Sequence, residues 1–467
     1  MKAGSPPESC SFATIFSHPS RWERAFPLMS DPLVGKINRS YESWRAAAPM
    51  ARARGLDSED VWCAVKVLRM SGRRKVPLIR TEGGEFGYTE TPSISESLHR
   101  IDQSLGGGGP AALESGEGMV SDPMMRRRFA IRSMMEEAIE SSRIEGAVTT
   151  RNDALDLLRS GREPKTEHER MVVNNYVAMQ DIKTWLDRDL TIERLHNLQT
   201  ILTEKTLVDP AQAGRFRRST DNVRIVDDRT NETVFTPPPA GGLPDRVRAI
   251  CDFANRKHTG DEFIHPIVKA CILHFLIGYE HPWCDGNGRT ARAIFYWFVL
   301  KHGYTVFEYM AVSELIRKSW GQYAEAYLNT ENDDGDLTYF IYYKLRIIVR
   351  AIDQLGEHLE REEAKVRRGL QLAADDPSLN LRQRLLLEHA IRHPRTVYTV
   401  KSHATSNRIT AHTARSDLDG LVQRRLLSPY KAGRMISYVL APDAQDRLTG
   451  KVKPAAPRRR PRKSVST

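Results

Sequence analysis

No stretch of the 467 residues approaches the roughly 18 uncharged apolar residues that a membrane-spanning helix needs. The opening MKAGSPPESC also lacks a basic region followed by an apolar run, so neither a secretory leader nor membrane insertion is expected. Cysteine is equally sparse. Cys10, Cys63, Cys251, Cys271 and Cys284 are odd in number, scattered and without CxxC spacing, which argues against a disulfide framework and against a zinc site. A soluble protein of the reducing cytoplasm is the expectation. What is present is a 40% hydrophobic content, enough for real cores, in a chain long enough for two or three domains. The formal net charge of +11 permits acidic partners without demanding them, and seven of the positive charges lie in the last 17 residues.

Along the chain, helical patterns at 41–50 and 58–70 precede a hairpin pattern at 77–88 around Gly83-Gly84. Trp44 and Trp62 read as core. The glycines at 106–109, followed by Pro110, mark a flexible break. An amphipathic helix is expected over 124–146, with Phe129, Ile131, Met134, Met135, Ala138 and Ile139 on its apolar side and Gly146 as its C-cap. Its last turn puts Ser141 and Glu145 on one face, and Glu145 stands at the negative end of the helix dipole, where a carboxylate needs a cation. Two helices follow over 165–205. Residues 222–236 read as a hairpin that Pro237, Pro238 and Pro239 keep out of any central sheet position, leaving an edge able to hold an extended peptide. His265 and Pro266 open the next helix, with His265 expected as a cap or packing residue.

The chemistry is concentrated in 281–292, HPWCDGNGRTAR. The helix expected over 290–301 is apolar nearly all round, hence buried, and its N-terminus emerges from a core. Free backbone N–H groups and the helix dipole make such an N-terminus an anion site. Gly286 and Gly288 let the backbone approach phosphate oxygens, Arg289 and Arg292 can fork onto outer phosphates, and Asp285 offers a hard oxygen to Mg2+. His281 can take a proton from an attacking hydroxyl at neutral pH. Cys284 is read as a bystander.

This stretch resembles the signature of the Fic (Fido) family, HPFx[D/E]GNGRxxR, at His281, Pro282, Asp285, Gly286, Asn287, Gly288, Arg289 and Arg292, with Trp283 where the family usually has Phe. Ser141, Glu145 and Gly146 resemble the family's inhibitory motif, [S/T]xxxE[G/N], in the subclass that carries the inhibitory helix ahead of the catalytic core. The resemblance implies a protein adenylyltransferase. Such an enzyme transfers AMP from Mg-ATP to a hydroxyl of a target protein, with His281 as base, Asp285 holding magnesium, and Gly286, Asn287, Gly288, Arg289 and Arg292 holding the nucleotide. It further implies that Glu145 pairs with Arg292 to restrain the enzyme, that the 222–236 hairpin is a flap aligning the target, and that Tyr323 lies at the adenine, core packing being the alternative. Self-modification, and removal of AMP with Glu145 aligning a water, stay open.

The expected fold is mainly α. It divides into an N-terminal helical region (1–115), an inhibitory helix segment (116–150), a Fic-type helical core with the β-hairpin flap (151–370), a winged helix-turn-helix (375–445) and a basic, disordered tail (446–467). The winged-helix reading rests on helices at 382–392, 400–404 and 408–424 followed by two short strands around 431–434. Asn407, Arg408, Thr410, His412, Thr413 and Arg415 are then placed to face DNA, while Asp417 and Asp419 count against that partner. Two alternatives remain: a DNA-binding regulator with the Fic core as sensor, or transfer of another phosphate-containing group.

Overall fold

The computed structural model describes residues 6–448 apart from 13, 18, 82, 107–122, 227–232, 395 and 433–434. Four helices open the chain: α1 (Pro19–Leu28), α2 (Pro32–Arg39), α3 (Trp44–Ala53) and α4 (Ser58–Gly72). Asp31 and Asp57 cap α2 and α4 by accepting backbone N–H groups, and each satisfies a donor left free at a helix start. Val34, Ile37, Ala51, Val61 and Trp62 close a core between them. Cys10 and Cys63 meet in this core as a disulfide, with Cα atoms 5.0 Å apart. That corrects the expectation of unpaired thiols. The partners are 53 residues apart, so no local spacing could announce them.

Helix α4 runs directly into β1 (Arg73–Ile79), which pairs antiparallel with β2 (Glu85–Thr89). The hairpin expected at 77–88 therefore starts four residues earlier. There follow α5 (Pro92–Gly106), α6 (Pro123–Ile144), α7 (Arg151–Ser160), α8 (Glu167–Ile182) and α9 (Ile192–Leu202). Strands β3 (Ile225–Val226) and β4 (Thr233–Phe235) pair antiparallel where the second hairpin was expected, and its turn lies outside the described residues. Next come α10 (Leu243–Asn255), α11 (Pro266–Glu280), α12 (Asn287–Lys301), α13 (Val312–Lys318), α14 (Trp320–Asn332) and α15 (Thr338–Asp375). Nearly every residue of α11 and α12 is buried, and α8, α9 and α10 pack on this pair. Its connecting turn is 281–286.

The chain divides into two compact units, 1–111 with 127–355, and 112–126 with 356–467. The second contains α16 (Leu381–Arg392), β5 (Tyr398–Thr399), α17 (Val400–Asn407), α18 (Ala411–Gln423), β6 (Leu427–Ala432), β7 (Met435–Leu440) and α19 (Ala444–Leu448). Its three strands are ordered β5-β7-β6, and Leu387, Ile391, Leu418, Leu421 and Tyr438 form its core. The last long helix begins three residues later than its sequence pattern suggested. Arg408 adopts φ +52° and ends α17, and Thr410 caps α18, so Asn407 and Arg408 lie outside α18. The break at 107–109 and the tail from 449 onward lie outside the described residues. Among the described residues no helix is long and apolar enough to cross a membrane.

Candidate active site

Helix α11 ends because His281 turns into the left-handed region at φ +47°, its N–H still bonded to Ile277 O, and Pro282 cannot continue a helix. The imidazole Nδ1–H donates to Gly278 O at 3.2 Å. Since a carbonyl only accepts, the lone pair is on Nε2. Burial pushes the imidazole down to about 4, so it is neutral and able to accept a proton at neutral pH.

Asn287 closes the turn on itself. Its carboxamide accepts from Trp283 N–H at 2.9 Å and donates to Trp283 O at 2.8 Å. Gly286, at φ +84°, is the residue before α12, and a Cβ there would sit 2.9 Å from Thr203 Cγ2. Both backbone angle and space demand glycine. A Cβ at Gly288 would collide with Glu145 Oε1. The carboxylate thus lies directly over the first turn of α12, where an anion is favoured.

Glu145 follows the last turn of α6, and its Oε1 accepts from Arg292 Nη2 at 2.7 Å. Ser141 Oγ accepts from Arg292 Nε at 2.8 Å and Ser141 O from Nη2 at 3.0 Å. Gly146 (φ +87°) terminates the turn. The side chain of Arg292 is 4% exposed and that of Glu145 28%. Arg289 is directed elsewhere: Nη1 donates to Leu202 O at 2.9 Å and Nη2 to Asp285 Oδ2 at 2.9 Å, while its buried Nε has no partner among the described residues. The two arginines, expected to act as one fork, are therefore held by different partners. Asp285 is 46% exposed on the outer side of the turn. A cavity of about 170 Å³ is lined by Glu145, His281, Gly288, Arg292 and Tyr323, with Ile225 and Phe235 from the β3–β4 pair. Tyr323 is buried, and its hydroxyl meets His274 Nε2 at 2.9 Å. His265 caps α11, its Nδ1 accepting from Ile267 N–H.

Several residues that serve the site carry no sequence signal. Buried Arg217 donates Nε–H to His281 O at 2.7 Å and Nη2–H to Glu280 O and Pro238 O, while its backbone N–H bonds Pro282 O. Arg246 links Glu280 Oε2, Pro239 O and Gly241 O. Gln199 Nε2 donates to Asp285 O at 3.1 Å. Glu137, fully buried and raised above the usual carboxylate range by that burial, accepts from Tyr296 Oη–H at 2.8 Å and Ser313 N–H at 2.9 Å. It fixes α6 to α12 and α13. Each of these groups is a charged or amide side chain bound mainly to backbone or to distant partners, which leaves no periodic trace.

Residues 189–299 match the profile described as Fic/DOC family. A protein named protein adenylyltransferase Fic from Nematostella vectensis is 31% identical over 144 residues, 31% of this chain and 29% of that protein. One of the same name from Aedes aegypti is 27% identical over 146 residues, 31% of this chain and 26% of that protein. The matched stretch thus spans under a third of these curated relatives' length. A crystal structure of a Fic family protein from Desulfovibrio desulfuricans G20 aligns at 18% identity with a TM-score of 0.49, over 76% of this chain and 98% of that one. The segment of this chain that is similar to the Fic/DOC family, residues 189–299, includes all of the 281–292 turn and most of α12.

Proposed function

We propose that the protein transfers AMP from ATP to a hydroxyl side chain of a target protein, under restraint by Glu145. One observation carries the reading. At the N-terminus of a buried helix a neutral imidazole, a half-exposed carboxylate and an arginine converge, and that arginine is already held by a carboxylate 147 residues away. The names of the curated relatives favour AMP over another phosphate-containing group.

In the proposed reaction the acceptor hydroxyl loses its proton to Nε2 of His281 as its oxygen attacks the α-phosphorus. The new O–P bond forms while the bond from that phosphorus to the β-phosphate oxygen breaks, and pyrophosphate leaves. Backbone N–H groups at the start of α12 stabilise the anion, and Arg292 takes the outer phosphate once Glu145 has left it. Magnesium would be held by Asp285 together with phosphate oxygens, and supplies neutralisation of the phosphate charge. One carboxylate suits that ion, which is often bound through one or two carboxylates plus substrate phosphates. Among the described residues no group of three or more His, Cys, Asp or Glu side chains is placed to hold a metal ion by itself. The β3–β4 pair acts as the flap, since Ile225 and Phe235 line the cavity and an extended target chain could add along its edge.

The test is mass spectrometry of the protein and of lysate proteins after incubation with Mg-ATP, using wild type, Glu145→Gly and His281→Ala. An added AMP on a hydroxyl, greatest with Glu145→Gly and absent with His281→Ala, supports the reading. Addition of another group, or addition independent of His281, overturns it.

A second reading concerns residues 381–440 as a winged helix-turn-helix that contacts DNA. Asp417 is buried, accepting from Arg382 Nε at 2.8 Å and Asn380 Nδ2 at 2.8 Å, and so is removed from the surface where it weighed against a polyanion. Lys401, Arg408, His412 and Arg415 stay exposed. A gel shift with mixed duplex DNA, lost at raised salt and with Arg415→Glu, supports it; binding that ignores both overturns it.

A further inference from the structure

Trp283 is fully buried in the turn, and its indole carries a single donor. Its backbone N–H and C=O are both taken by Asn287, so only the side chain reaches out of the turn to another element. Indole Nε1–H donates to His196 Nδ1 at 3.1 Å. The His196 ring lies edge-on to the indole at 6.1 Å between centroids and 4.4 Å from Phe216, the residue before Arg217. Helix α9 then touches the turn at two further points in step: Gln199 on Asp285 O and Leu202 O on Arg289.

We infer that His196 is a positioning residue, whose Nδ1 lone pair seats the Trp283 indole and thereby sets Asp285 and the start of α12 against the nucleotide phosphates. The inference rests on the reading of the turn as a nucleotide site. Its physical basis is polar satisfaction. An aromatic ring without an N–H at 283 would pack in the same pocket and need no acceptor, whereas a buried indole N–H left alone is penalised and turns the ring toward any other acceptor. Phe216, tilted 30° to the indole at 6.4 Å between centroids, offers it no polar partner, and the bond to His196 is the directional contact of the ring. Burial holds the imidazole below its ordinary value, hence neutral and able to accept.

The test is a double-mutant cycle in the Glu145→Gly protein: parent, His196→Leu, Trp283→Phe, both together, and His196→Gln, whose carboxamide oxygen can accept. Affinity for a non-hydrolysable ATP analogue and the rate of AMP transfer are measured, with melting curves to establish that each variant is folded. His196→Leu should weaken one of the two constants about tenfold. Added to Trp283→Phe, the same substitution should change neither by more than about twofold, since no donor is left to satisfy. His196→Gln should recover most of the loss. Equal loss from His196→Leu with either residue at 283 overturns the inference. If the analogue binds with the predicted coupling and no variant transfers AMP, the proposed reaction fails and the positioning role stands.

Discussion

On the proposed reading, removing the Glu145 carboxylate should raise AMP transfer. The Glu145–Arg292 contact is one charge-assisted hydrogen bond of 2.7 Å, with the guanidinium buried and the carboxylate 28% exposed. Such bonds contribute about 1.5 to 3 kcal/mol, and partial exposure of the acid places this one near the lower end. A shift of about 1.5 kcal/mol multiplies the population with Arg292 available by roughly ten. Glu145→Gly also clears the space above Gly288, where Oε1 now sits. The expected result is roughly a tenfold rise in AMP incorporation from labelled Mg-ATP, together with about 1 to 2 kcal/mol of lost stability because Arg292 remains buried without a carboxylate, keeping Ser141 and Tyr323 as partners. ATP should then raise the melting temperature of Glu145→Gly more than that of wild type, its phosphate replacing the lost carboxylate. Arg292→Ala in the same background should cancel the gain in rate, a non-additivity that separates a direct pair from independent sites. A rate unchanged or lowered by Glu145→Gly, or a gain that survives Arg292→Ala, refutes the reasoning.

Three further outcomes follow from the geometry. Burial keeps His281 near 4, so it protonates only well below its ordinary pH; a kcat/KM profile of Glu145→Gly should hold its activity down to about pH 5, and an acid limb near 6.5 would show that the base is not this imidazole. Arg217→Lys cannot bridge His281, Glu280 and Pro238 at once, and should lower kcat about tenfold with nucleotide affinity little changed, while equal loss of affinity would place Arg217 in nucleotide binding instead. Asp417→Ala leaves Arg382 and His403 without their acceptor and should destabilise the second unit by about 2 to 3 kcal/mol in urea unfolding. Burial opposes the Asp417 charge and the bonds to Arg382, Asn380 and His403 outweigh it, so its pKa is depressed; its contribution is present above the ordinary carboxylate range and lost as pH falls below it. A variant as stable as wild type at neutral pH would contradict this.

The 281–292 turn was legible because its chemistry is contiguous: a base, a carboxylate, two glycines and two arginines within a dozen residues imply an anion site before any folding is considered. The last turn of α6 was legible as a carboxylate in search of a cation, and the family resemblance supplied Arg292 as that cation. Arg217, Arg246 and Gln199 were not legible, since each bonds backbone carbonyls, which every residue possesses. His196 was hidden for the opposite reason, its partner being one particular indole 87 residues away. Cys10 and Cys63 were read as isolated because nothing near either cysteine reports the packing of α4. Asp417 was read as a surface charge because helix periodicity gives a residue's direction only once the neighbouring helices are placed. The start of α18 was misjudged because an arginine at positive φ is a rare way to end a helix, and no glycine marked it.

Helix α6 is anchored along its length: Ser133 on Tyr309 O, Glu137 on Tyr296 and Ser313, Glu140 on Arg317, and Ser142 on Met171 O. None of these bonds involves Glu145. On the proposed reading Glu145 is thus a side chain on a stationary post, and freeing Arg292 from it requires rotation about a few torsions in one final turn and no displacement of the helix. Restrained and released forms should share one backbone, and their exchange belongs to the nanosecond-to-microsecond range of side-chain and end-of-helix motion. Transfer by Glu145→Gly and by wild type should accordingly begin without a lag, differing in slope alone.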